Sequence, residues 1–104
     1  MRDELASRGY WCIRIQSGTL QVKYGPRTHY VHCAEEGTPD FWCCRHDGAS
    51  AFVEVKKPGE QPNQAQRLWH AKARARGIHV GCFDKISDVV AFMRDLPKPL
   101  GSAK

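Results

Sequence analysis

The chain has 104 residues, of which 41% are hydrophobic and 26% charged, so it suits one globular domain and excludes a disordered, collagen-like or coiled-coil chain. Sixteen Lys and Arg against eleven Asp and Glu give a net charge of +5 and a pI near 9.1, a balance that favours a polyanionic partner. The longest clearly apolar run, Val89 to Met93, is far below the roughly 20 residues of a membrane span. The Met-Arg-Asp-Glu start has no apolar signal region, so a cytoplasmic location with no membrane partner is expected.

Residues 2 to 8 predict a short helix stopped by Gly9. Tyr10 to Gln16 is rich in aromatic and β-branched residues and predicts a strand. Ser17-Gly18 is a turn signal, Thr19 to Tyr24 a strand, and Gly25-Pro26 a break. Thr28 to Cys33 predicts a further strand and Glu35 to Pro39 a loop. Phe41 to Arg45 and Ser50 to Lys57 form a hairpin pattern about His46-Asp47-Gly48, which Pro58-Gly59 ends. A helix is expected over Pro62 to Arg76 with its stop at Gly77, then a short apolar strand over Ile78 to Phe83. Ile86, Val89, Val90 and Met93 recur at helical spacing, with Ser87 as the expected N-cap. Residues 1–95 then make one domain and 96–104, with Pro97, Pro99 and Gly101, a loose tail. The order predicts an α/β fold, a mixed sheet with helices packed on it.

The five cysteines are Cys12, Cys33, Cys43, Cys44 and Cys82. An odd count with no C-x-x-C argues against a disulfide framework. A zinc site built from Cys33, Cys43, Cys44 and His46 is conceivable, but adjacent strand residues point to opposite faces, so Cys43 and Cys44 do not readily share an ion. Small buried hydrophobes are the simpler reading, and a zinc-stabilised adaptor stays as an alternative function.

The chemistry concentrates between Gly37 and Lys57. On a strand, Glu54 and Lys56 share one face while Val53 and Val55 take the other. A two-residue turn at Asp47-Gly48 would turn Asp40 away from Glu54. A three-residue loop, His46 to Gly48, makes paired positions sum to 94 and sets Asp40 opposite Glu54. Gly48 suits the left-handed position that ends such a loop. The same register pairs Phe41 with Val53 and Cys43 with Ala51 on the apolar face, so it is the register expected. Two opposed carboxylates repel, and a divalent cation relieves the repulsion. Hard oxygen ligands suit Mg²⁺ or Mn²⁺. Lys56 beside them can orient a water or stabilise charge on a phosphoryl oxygen. The plain structural reading is a charged strand face with a Glu54–Lys56 neighbour pair.

Along the following helix, Gln66, Arg67, His70 and Arg74 fall within about a 100° arc, and Ala65, Leu68, Trp69 and Ala75 lie largely on another side. The first group is expected to face DNA phosphates, together with Lys57 beside the site strand; a solvated basic face is the plain alternative.

Gly37-x-Pro39-Asp40, then Glu54-Val55-Lys56, then Gln66-x-x-Trp69 and Gly77 resemble the virus-type replication-repair nuclease domain (VRR-NUC) of the PD-(D/E)xK superfamily. The resemblance spans roughly Gly9 to Met93. It implies a mixed central sheet flanked by helices and metal-dependent hydrolysis of DNA phosphodiesters. Small stand-alone members, from phages or bacteria, look like homodimeric Holliday-junction-resolving enzymes. Carried over by position, Asp40 and Glu54 would hold Mg²⁺ or Mn²⁺ with the main-chain carbonyl of Val55. Lys56 would act on the water or scissile phosphate, and Gln66 would match the family's helix glutamine. Many members also carry a glutamate in a longer first helix; here eight residues precede Gly9, Glu4 is wrongly spaced, and that role passes to no residue. One 104-residue chain holds one such site, so a paired cut favours a homodimer, with Trp11 and Trp42 as candidate interface aromatics.

Overall fold

The structure is a computed structural model that describes residues 1–15 and 18–99; the Ser17 half of the expected turn lies outside them, as do positions 100–104 of the tail. The elements run α1 (Arg2–Ala6), β1 (Trp11–Arg14), β2 (Gly18–Tyr24), β3 (Arg27–Ala34), β4 (Phe41–Cys44), β5 (Ser50–Val55), α2 (Gln64–Ala75), β6 (Val80–Phe83) and α3 (Ile86–Arg94). The fold is mixed α/β. A four-stranded sheet has the order β1-β4-β5-β6, and β2 and β3 form a separate two-stranded ribbon. The β1–β4 and β4–β5 pairs are antiparallel, whereas β5 and β6 are parallel. Parallel neighbours need a long crossover, and α2 supplies it. No described helix is long and apolar enough to cross a membrane.

The expected hairpin register is the observed one. Phe41 pairs with Val53, Trp42 with Phe52 and Cys43 with Ala51. The loop holds three residues: Arg45 N–H donates to the Ala49 carbonyl at 2.7 Å and Gly48 N–H to the Arg45 carbonyl at 3.0 Å. Gly48 has φ +91°, a conformation that costs any side chain with a Cβ.

One face of the sheet carries the apolar core. Cys12, Cys43, Ala51 and Val53 are buried there against Leu5 of α1 and Val89 and Met93 of α3. Each large apolar side chain sealed in this way contributes about 1.5–3 kcal/mol. The Cys12 and Cys43 sulfurs lie 2.7 Å apart in the core, and burial raises both thiol pKa values. Cys44, next in the chain, lies on the opposite face and donates to the Arg45 carbonyl. The Cys33 side chain lies outside the described ones.

Arg45 ties the hairpin to α3. Its fork meets both Asp47 carboxylate oxygens, at 2.9 and 2.6 Å. Its Nη1 also donates to the carbonyls of Met93 and Arg94, which the last helical turn leaves unpaired, and to that of Leu96 just beyond the helix.

Most element ends shift by one or two residues from expectation, and Gly18 begins β2 instead of sitting in a turn. The N-cap of α3 is Lys85, with extended backbone and no side-chain bond, so Ser87 lies inside the helix. Leu96 belongs to the core, 7% exposed, so the domain extends past residue 95.

Candidate active site

The loop before β4 fixes Asp40. Gly37 has φ +89°, and a Cβ there would fall on the Ala65 carbonyl of α2, so only glycine lets the loop lie against that helix. Thr38 donates its N–H and its hydroxyl to the Glu35 carbonyl, and Pro39 is fully buried. Asp40 then donates no flexibility to its surroundings: its carbonyl accepts Ile15 N–H at 2.7 Å and its Oδ2 accepts Val55 N–H at 3.1 Å. Continued by one pair, the β4–β5 register sets Asp40 opposite Glu54.

Glu54 is only 1% exposed. Burial first, and the neighbouring Asp40 carboxyl second, push its pKa up to about 8, with Lys56 pulling the other way. Lys56 follows on the same face. Its N–H donates to the Phe83 carbonyl at 2.8 Å, and its side chain lines a cleft of about 390 Å³ with Glu60, Cys82, Phe83, Asp84 and Asp88. Asp40, Glu54 and Lys56 are thus brought to one end of one sheet face. Val55 lies between the last two and its amide is bound to Asp40.

The helix residues are distributed differently from expectation. The inward stripe of α2 is Gln66, Trp69, His70 and Ala73, at i, i+3, i+4 and i+7 spacing, while Leu68 is 56% exposed. His70 is 3% exposed and therefore does not present itself to DNA phosphates. Packing of Trp69 edge-on to Phe52 of β5, with ring centroids 5.0 Å apart, rotates the helix so that His70 points at the sheet. Its Nε2 lies 3.9 Å from Glu54 Oε1, too long for a hydrogen bond. Burial, then the Arg74 and Lys56 cations, lower its pKa, so near neutral pH this is a contact between a neutral imidazole and a protonated carboxyl.

Gln66 closes a capping box: its N–H donates to Asn63 Oδ1 and its Oε1 accepts Asn63 N–H, each at 2.9 Å. The side chain of the expected site glutamine therefore starts α2. Lys57 and Arg67 are exposed, free to meet a polyanion. Arg74 is exposed as well but donates Nη2 to the Val80 carbonyl at 3.1 Å, which ties α2 to β6.

One neighbour of Glu54 escaped the sequence reading, and a second, His70, was read there as a phosphate contact. Cys82 pairs with Glu54 across the parallel strands, and burial and the Glu54 charge raise its pKa. Only the crossover register reveals it. His70 was legible as part of the i, i+3, i+4, i+7 stripe, had Gln66 and Trp69 been placed on one face.

Glu54 Oε1 and His70 Nε2 are buried without a hydrogen-bond partner among the described residues. A sealed carboxyl oxygen beside a second carboxylate suits either a proton or a hard divalent cation. Among the described residues no group of three or more His, Cys, Asp or Glu side chains is placed to hold a metal. A cation here would rest on Asp40, Glu54, a main-chain carbonyl and water. Comparison with protein-family models, curated proteins and solved structures found no match to the chain.

Proposed function

We propose that the chain is a Mg²⁺- or Mn²⁺-dependent DNA endonuclease of the PD-(D/E)xK superfamily, VRR-NUC type. The reading rests above all on Asp40, Glu54 and Lys56 standing on one sheet face, with Asp40 anchored to the backbone of Val55. The Gly37–Asp40 loop packed against α2, and a mixed sheet with helices on both faces, support it. Asp40, Glu54 and the Val55 carbonyl would hold the cation, which when bound supplies charge stabilisation at the phosphate and acidifies a water. Lys56 would orient that water or stabilise the phosphoryl oxygens, and Lys57 and Arg67 would hold flanking phosphates. Branched DNA is the proposed substrate class, cut by a homodimer.

Sealed Glu54 favours a second reading, a DNA-binding module that keeps Glu54 as a protonated carboxyl without hydrolysis. Labelled branched, flapped and linear DNAs incubated with Mg²⁺ or Mn²⁺ separate the two. Metal-dependent cutting of the branched forms is expected. Binding without cutting in both metals would establish the module instead.

A further inference from the structure

Among the described residues, one side of the face that carries Asp40 and Glu54 is covered and the other carries exposed side chains. Over β5 and β6 the face lies under α2, with Phe52 against Trp69. Over β1 and β4 the same face holds Trp11, Ile13 and Trp42, because Ile13 pairs with Trp42 and Trp11 stands two residues away on the same side of its strand. Trp11 is 62% exposed and Ile13 40%. The Trp11 and Trp42 rings meet edge to face, with centroids 5.4 Å apart and planes at 86°. Trp42 follows Asp40 by two residues on the same face, a separation of roughly 7 Å along the strand. A cleft of about 550 Å³ lined by Arg2, Asp3, Tyr10, Arg14 and Phe41 opens on the other face of β1, beside α1.

We infer that this aromatic patch is a stacking platform for an unpaired base of the DNA strand that enters the site; the inference rests on the nuclease reading for the position of that strand. An indole held edge-on by a second indole is fixed in direction and leaves a ring surface to solvent, which any base can cover. The net charge of +5 favours a polyanionic occupant, and an unpaired base arrives on a phosphate backbone. Size points the same way. Three partly exposed side chains offer a few hundred Å² at most, against the roughly 800 Å² per partner of a stable protein interface. The substrate class narrows accordingly to DNA with unpaired bases at the branch, such as flaps, gaps and open junctions.

Tryptophan fluorescence with a ten-nucleotide oligothymidylate in EDTA tests the platform without any cutting. Quenching is expected, with Trp11→Leu weakening affinity roughly 5- to 150-fold, the equivalent of one lost base stack. Trp11→Phe is expected to keep most of it, and affinity for a blunt duplex is expected to change less than twofold. Equal oligothymidylate affinity in Trp11→Leu and the parent would overturn the platform. So would a change of oligomeric mass in Trp11→Leu with DNA affinity unchanged, since the patch would then be a self-interface. Trp11-dependent binding without cleavage of any DNA in Mn²⁺ would leave the platform standing and remove the nuclease reading. Cleavage with Trp11-independent binding would do the reverse.

Discussion

Glu54 is held in a state that its chemistry would have to reverse. In the unfolded chain it releases its proton near 4.5, whereas in the fold it keeps it to about pH 8. Between those values the folded form binds more protons than the unfolded one, so stability of the metal-free protein falls as pH rises through that window. Glu54→Gln carries no titrating proton. The variant is therefore expected to lose the part of the fall in melting temperature between pH 5 and pH 8.5 in EDTA that Glu54 causes, and to melt above the parent at pH 8.5. It is also expected to lose Mn²⁺ affinity by calorimetry. Parallel pH dependence in parent and variant would show that Glu54 ionises normally in the fold. Lys56 differs, since it is half-buried and lines an open cleft. Lys56→Ala is expected to keep the melting temperature within a few degrees and to slow cleavage about 10²- to 10³-fold. Undiminished cutting would take lysine out of the mechanism.

At the scale of elements, the loop from Gly37 to Asp40 joins the helix crossover to the site. Gly37→Ala places a Cβ on the Ala65 carbonyl in a backbone conformation that L residues avoid. A loss of about 2–4 kcal/mol in urea unfolding is expected, with weaker Mn²⁺ binding as Asp40 shifts. A change below 0.5 kcal/mol would mean that the loop does not rest on α2. These local features were legible. Glycine, proline and aspartate at fixed spacing, a three-residue loop ending in Gly48, and alternating Val53 and Val55 specify the hairpin register through short-range physics alone. What escaped was non-local. Arg45 capping the end of α3 depends on how the hairpin and helix pack. Cys82 beside Glu54 depends on a parallel crossover register. The facing of His70 depends on Phe52 meeting Trp69, which rotates α2 away from the arc that its charges alone suggested.

For the whole molecule, the charge balance and the single site set the last expectation. One chain brings one Asp40–Glu54 pair, and a concerted cut in two strands needs two, so a homodimer with its sites turned toward two arms of one junction is expected in light scattering. If the pair of chains neutralises about six to ten phosphates, affinity for a branched DNA falls roughly 10³- to 10⁵-fold between about 50 and 200 mM salt. Exposed Lys57 and Arg67 beside the site contribute to that slope, whereas buried His70 does not. Removing Lys57 and Arg67 from both chains should flatten the slope by roughly four phosphates, two per chain, whereas His70→Ala should keep the parent's salt dependence. The base platform adds a component with little salt dependence, because stacking releases no counterions. Affinity for a flapped DNA should therefore exceed affinity for a blunt duplex contacted at as many phosphates by a factor that salt leaves nearly unchanged. Identical affinity at high salt for both DNAs would mean that phosphate contacts alone hold the substrate, and a monomer that still cuts both strands in concert would remove the need for a second chain.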